Sequence, residues 1–222
     1  MQIIWHGQSC FEVIIAKGKG DHVTILIDPL DDSKTGIKTP KTDAQIVLLT
    51  NNAYTADPSE SNGINGAFVI NGPGEYEIKD IYIRGIDSNF GKSEAEKAEA
   101  KNQSVIYTLE GEDMKLCHLG NLNEAELNQR QIEKIGNIDI LMCPVGDGAG
   151  IGAKEALKIV SQIEPSIAIP MNYVIPKLKL KAGDLEEFLK AAGVGALEAL
   201  PKLAIKKKEI SAEEAKIIVL NP

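Results

Sequence analysis

The imidazole complement of this chain is three residues, His6, His22 and His118. Imidazoles with carboxylates beside them are how a protein builds a zinc site. Zinc takes imidazole nitrogen, thiolate or carboxylate oxygen and keeps one position for a water, whose pKa falls to about 7 on the ion. The chemistry that follows is metal-assisted attack by that water. His22 follows a hairpin signal and is expected at the surface. The thiols Cys10, Cys117 and Cys143 lie in the apolar stretches SCFEVII, MKLCHL and ILMCPV without C-x-x-C spacing, and read as buried free thiols in a reducing compartment.

Other chemistries have weaker support. Ser9 with His6 or His118 suggests a nucleophile and base, but no third group stands at a spacing that would orient the base. The run Gly146-Asp147-Gly148-Ala149-Gly150-Ile151-Gly152 precedes a helical stretch, as phosphate cradles do. It lacks both the G-x-G-x-x-G arrangement with its downstream acid and the lysine of a P-loop. Gly72-Pro73-Gly74-Glu75-Tyr76 reads as a tight turn, with proline fixing φ and glycine supplying positive φ. Glu75 is there a candidate to line a pocket.

The elements that would position these residues follow from periodicity. IIW, CFEVIIA and HVTILIDP read as strands, the last two separated by a glycine-containing turn at residues 17–21. QIVLLT, AFVING and YEIKDIYIRGI follow, the last alternating as one half-exposed strand would. Residues 88–102 are charged and lack an aliphatic anchor, so they are expected as a surface loop or exposed helix. SVIYTL and MKLCHLG form a strand pair around Glu110-Gly111-Glu112-Asp113. Helices are expected over 123–135, 152–163 and 182–192, with IDILMCPV and SIAIPMNY between them and short strands LAIKKKEI and KIIVL at the end. Strands first and then alternating helix and strand imply two sheets packed face to face with helices outside.

Composition narrows the setting. A chain of 222 residues, 43% of them hydrophobic, can bury a large core, and no linker-like stretch divides it, so residues 1–222 read as a single domain. No apolar run approaches the ~20 residues that cross a bilayer, and MQIIWHGQ carries no basic leader, which implies a cytoplasmic protein without a membrane partner. A net charge of −8 disfavours nucleic acid. Lys206-Lys207-Lys208 reads as a strand edge protected from pairing.

Seven segments, in order, resemble the metallo-β-lactamase fold superfamily, in particular its branch of L-ascorbate-6-phosphate lactonase-like, zinc-dependent hydrolases. IIWHGQSCFEV is similar to that branch's opening strand pair, and ILIDP to its next strand with an acidic end. INGPGEYEIKDIYIRGI is similar to a Gly-Pro-Gly-Glu-Tyr turn of one subgroup. CHLGNL, DILMCPVG and SIAIPMNY are similar to its H-x-G-D, lPvG and iPmHY segments, and QIVLLT to the strand that precedes its metal motif. The resemblance implies an α/β (α+β) fold, a four-layer αββα sandwich with the metal site at one edge of the two sheets. It also implies an H-x-H-x-D-H motif after the strand ending in threonine, a bridging carboxylate after G in H-x-G-D, and a closing histidine after iPm.

Set on this sequence, the three motif histidines fall on Asn51, Ala53 and Ala56, and the motif aspartate on Thr55. The bridging carboxylate falls on Asn121 and the closing histidine on Asn172. Residues 44–66 contain no histidine, so sliding the register by one or two restores nothing. The expectation is a fold whose dimetal ligands are replaced, with a remnant pocket of Asn51, Asn52, Ala53, Thr55, Ala56, His118, Asn121 and Asn172. His6, Asp28, Tyr54, Asp57, Glu75 and Tyr173 are candidates to line it. Amide oxygen is a neutral, weak zinc donor, so no tightly held metal is expected, and the role is binding, of a small molecule or a partner. The alternative is an active hydrolase of ester, lactone or phosphoester bonds, with one weakly bound divalent metal on His6, His118 and Asp28 or Asp57. A structural subunit, as a homo-oligomer, is a further alternative.

Overall fold

The computed structural model describes residues 1–18, 20–50, 54–56, 64, 66–89, 104–148, 150–210 and 215–222. The chain opens with β1 (Gln2–Trp5), β2 (Phe11–Gly18) and β3 (Asp21–Ile27). In β1 and β2 buried and half-buried residues alternate, so Ile3, Trp5, Phe11, Val13 and Ile15 enter one core while Glu12 and Ile14 face away. The short α1 (Asp32–Thr35) is capped by Asp31, whose side chain accepts from Ser33 N, and stops at Gly36, where φ is +78°. Then come β4 (Ile46–Leu48), β5 (Phe68–Ile70), β6 (Gly74–Ile78) and β7 (Ile81–Asp87).

After β8 (Val105–Gly111) and β9 (Met114–His118), helices alternate with strands: α2 (Gln129–Ile135), β10 (Ile140–Pro144), α3 (Ala153–Ile163), β11 (Ile167–Met171) and α4 (Leu185–Ala191). The chain closes with β12 (Leu203–Ala204) and β13 (Lys216–Ile217). One sheet runs β12-β1-β2-β3-β4-β5 and the other β13-β11-β10-β9-β8-β7-β6.

The parallel parts explain the unbroken apolar runs. β3, β4 and β5 are mutually parallel, as are β9, β10, β11 and β13. Strands covered on both faces have no solvent side to make polar. Accordingly every residue of β4, β10 and β11 is buried. α3 buries Ala156, Ile159 and Ile163, a helical spacing, and α4 packs against it.

Parallel pairing has a positional consequence. β3 and β4 end together at Ile27 and Leu48, while β9, β10 and β11 end at His118, Pro144 and Met171. The residue after β4's end meets the start of β8 across the sheets: Val105 N and Ser104 Oγ donate to Thr50 O at 3.1 and 2.9 Å. Gly120, with φ +60°, passes so close to Thr50 and Ser104 that a Cβ there would strike both.

Three expectations change. YEIKDIYIRGI is two strands, β6 and β7, joined at Lys79-Asp80, whose φ values of 52° and 57° make a type I′-like two-residue turn. The usual Asn-Gly signal is missing, and Lys17 Nζ instead holds the turn by donating to Lys79 O at 2.6 Å and Asp80 Oδ2 at 2.8 Å. The helix expected from residue 123 begins at Gln129, after the capping box of Asn128 and Gln131. Lys207 and Lys208 lie in a 3₁₀ turn, Lys207–Glu209, rather than on a strand edge, and Lys207 Nζ reaches Asp139 Oδ1 at 2.6 Å. Cys10, Cys117 and Cys143 are free and buried. Most of the expected 88–102 loop lies outside the described residues.

Lysine in the left-handed region is strained, and asparagine tolerates it. Lys79→Asn, which keeps Asp80 and the backbone carbonyl that Lys17 holds, is expected to stabilise the fold by roughly 0.5–1 kcal/mol. The reading is a higher urea midpoint at unchanged slope.

Candidate functional site at the strand-end edge

Asp28 ends β3 in a left-handed conformation, φ 46°, and is fully buried. Its backbone N donates to Leu48 O at 2.9 Å. Its carboxylate accepts from Thr50 N at 2.8 Å and Thr50 Oγ1 at 2.5 Å, and also from the Ser9 hydroxyl. Burial pushes its pKa up to about 6, against the pull of the Thr50 and Ser9 hydrogen bonds. Asp28 thus fixes the point where the chain enters the loop after β4.

His118 is also fully buried, with its ring edge-on to Phe11 at 5.7 Å. Gly120 N donates to Nδ1 at 3.1 Å, which leaves Nε2 as the protonated nitrogen, donating to Ser9 O at 3.0 Å. Desolvation holds its pKa down at about 4, against the hydrogen bond to Ser9 O. Both ring nitrogens are occupied by backbone, so His118 is a neutral strut and not a metal ligand. Ser9 meets this histidine through its carbonyl and gives its hydroxyl to Asp28, which removes the nucleophile–base pairing. His6 Nε2 lies 3.4 Å from Glu12 Oε2.

The next loops bring Asn121 and Asn172 together. Asn172 follows β11 in a left-handed conformation, φ 59°, is 2% exposed, and donates from Nδ2 to Asn121 Oδ1 at 2.7 Å. The two positions matched to the bridging carboxylate and the closing histidine are therefore hydrogen-bonded neighbours. The glycine loop packs under them: a Cβ on Gly146 would overlap Asn172 O, and one on Gly148 would overlap Lys181 O. Its glycines serve close backbone approach, not a phosphate cradle.

The remaining expected residues are dispersed. Thr55 makes an isolated bridge to Leu30, Ala56 N donates to Pro29 O at 2.6 Å, and Asp31 N donates to Tyr54 O at 2.9 Å. Tyr173 is a packing residue, 4.9 Å from Trp5, with its hydroxyl on Leu220 O at 3.4 Å. Glu75 lies in β6, paired with Arg84 Nε at 3.1 Å. It lines a separate groove of about 330 Å³ with Arg84, Asp87 and Lys134, whose lining includes none of His118, Asn121 and Asn172. Asn51, Asn52, Ala53 and Asp57 lie outside the described residues. Among the described residues, no three of His, Cys, Asp and Glu are grouped to hold a metal ion, so the alternative combination of His6, His118 and Asp28 is not assembled. The Asp28–Thr50–Ser9 knot was not expected as such; the only sequence signal for it is the acidic end of ILIDP.

A two-sheet sandwich with helices outside and its candidate site among loops at the carboxyl ends of strands defines the metallo-β-lactamase fold class. The family model of the beta-lactamase superfamily domain matches residues 2–172, and the chain belongs to that family. It is 27% identical over 199 residues to a UPF0173 metal-dependent hydrolase of Methanopyrus kandleri, covering 78% of this chain and 84% of the relative. It is also 27% identical over 229 residues to a UPF0173 metal-dependent hydrolase of Thermoplasma volcanium, covering 91% and 96%. A crystal structure of a metallo-β-lactamase superfamily protein from Thermotoga maritima superposes with a TM-score of 0.73 at 27% identity, over 99% of this chain and 97% of that one. No helix among the described residues is long and apolar enough to cross a membrane.

Asp28 and His118 oppose one another in their pH dependence. Asp28 gives up its proton near 3.8 unfolded and about 6 folded, so its contribution is complete below the first value and lost as pH rises through the second. His118 takes its proton near 6.5 unfolded and about 4 folded, so its contribution is complete above the first and lost as pH falls through the second. Between these limits the two slopes largely cancel. In Asp28→Asn the histidine slope stands alone. Stability relative to wild type is then expected to rise by about 3 kcal/mol from pH 4 to 6.5, measured by urea unfolding.

Proposed function

We propose that this family member binds rather than hydrolyses, through the strand-end edge at Asn121 and Asn172, and holds no tightly bound metal pair. The single observation behind this reading is the hydrogen bond from Asn172 Nδ2 to Asn121 Oδ1 at 2.7 Å. An amide nitrogen turned onto an amide oxygen leaves a cation only neutral carbonyl lone pairs, one of which is already engaged. Neither amide replaces an imidazole or a bridging carboxylate. The sequence from 44 to 66 supplies no imidazole either. Divalent zinc does not fit the described donor set.

What the edge offers instead is amide hydrogen bonding from the half-buried Asn121, suited to a small polar molecule or a partner chain. Residues 1–222 act in this reading as one domain in a cytoplasmic setting, and pairing with a second copy is compatible with it. The names of the relatives favour a second reading, a metal-dependent hydrolase of ester, lactone or phosphoester bonds. In that case one weakly held divalent ion would have to use residues of the loop after Thr50.

The two readings separate in one assay. Wild type and Asn121→Ala, each supplied with zinc or manganese, are given p-nitrophenyl acetate and bis(p-nitrophenyl) phosphate. The binding reading expects equal, background rates. A metal-dependent rate at least tenfold above background in wild type establishes the hydrolase, and its loss in Asn121→Ala would assign the ion to this edge.

A further inference from the structure

Two loops far apart in sequence, residues 33–41 and 174–183, carry six lysines and no carboxylate: Lys34, Lys38, Lys41, Lys177, Lys179 and Lys181. All six are exposed. The loops are braced together. Lys179 N donates to Thr35 O at 2.9 Å and Lys179 Nζ to Ser33 O at 3.1 Å. Gly36 lies so close to Lys177 O that a Cβ there would collide with it, and Gly7 is wedged between Ile37 and Ile175. The second loop is closed at its neck by Val174 N donating to Gly183 O at 3.0 Å, and is tied to Gly146 through Gly183 N. Its backbone is therefore set before any ligand arrives.

Lys34 pairs with Asp31 at 3.2 Å, but among the described residues Lys38, Lys41, Lys177, Lys179 and Lys181 stand in no ion pair. The flanking carboxylates equal the six lysines in number, so the positive charge is confined to the two tethered loops and does not extend over the surface around them.

We propose that this paired-loop surface binds a compact, multiply charged phosphate-bearing small molecule. Lysine ammonium groups are mobile point charges that suit clustered phosphate oxygens, and the forked geometry of arginine is absent from both loops. Compactness follows from the borders. Asp31, Asp32 and Asp43 flank the first loop, and Asp184, Glu186 and Glu187 follow the second. An extended polyanion with a charge every ~1.7 Å would run off the lysines onto these carboxylates. A compact anion stays within about one screening length of the lysines. The inference uses neither Asn121 nor Asn172 and stands or falls apart from the proposed function.

The test is calorimetric titration with inorganic triphosphate at about 50 mM and about 200 mM salt. Three proteins are compared: wild type, Lys38→Gln/Lys177→Gln/Lys181→Gln, and a control triple, Lys154→Gln/Lys158→Gln/Lys190→Gln, of the same net charge. The substituted side chains are exposed or lie on helix surfaces, so the fold is retained. Wild type and control are expected to bind alike, the loop triple at least tenfold more weakly, and added salt to weaken wild type more than the loop triple. Absence of binding by wild type overturns the proposal, as does equal weakening in both triples. A 20-base-pair DNA duplex that binds wild type as tightly as triphosphate also overturns it, in favour of an extended polyanion.

Discussion

A buried carboxylate with no cationic side chain paired to it among the described residues holds the strand-end edge together. Asp28 is the acceptor on which the Thr50 backbone N–H and the Thr50 and Ser9 hydroxyls converge. Thr50 in turn offers its carbonyl to Ser104 and Val105 of the other sheet. Ser9 offers its carbonyl to His118, whose second nitrogen fixes Gly120. One anion thus sets the ends of β3, β4, β8 and β9 relative to each other. Burial makes that carboxylate costly to ionise, which raises its pKa. His118 is held neutral by its own burial, which disfavours the imidazolium.

This frame supplies positions, and side-chain chemistry decides what they do. Asn121 and Asn172 follow strands of the second sheet and meet because β9, β10 and β11 run parallel and end together. Imidazoles and carboxylates crowded there would need a metal's charge to be tolerated, whereas two amides satisfy each other. Fold membership therefore licenses the architecture, and the proposed binding role is argued from the residues at the edge.

Most of the frame was legible in the sequence because burial leaves patterns. Fully apolar ILMCP and IAIPM announce strands covered on both faces, and alternation in FEVIIA announces one open face. The ordered resemblances placed Asn121 and Asn172 on the same edge, where the structure finds them in contact. What escaped was whatever depends on a distant partner. Lys79-Asp80 lacks a turn signal because Lys17, from another strand pair, supplies the restraint. His118 looked like a free donor because nothing in CHLG reveals that Ser9 O and Gly120 N occupy its ring. The lysine surface was equally hidden, since its halves lie at opposite ends of the chain and only folding adds their charges.

The account turns on whether this edge can grip transition metal ions. The direct measurement is the metal content, by plasma mass spectrometry, of protein purified without chelator and dialysed against metal-free buffer. Well under one equivalent of zinc, iron and manganese per chain is the predicted result. One or two retained equivalents, released when Asn121 or Asn172 is replaced by alanine, would contradict it.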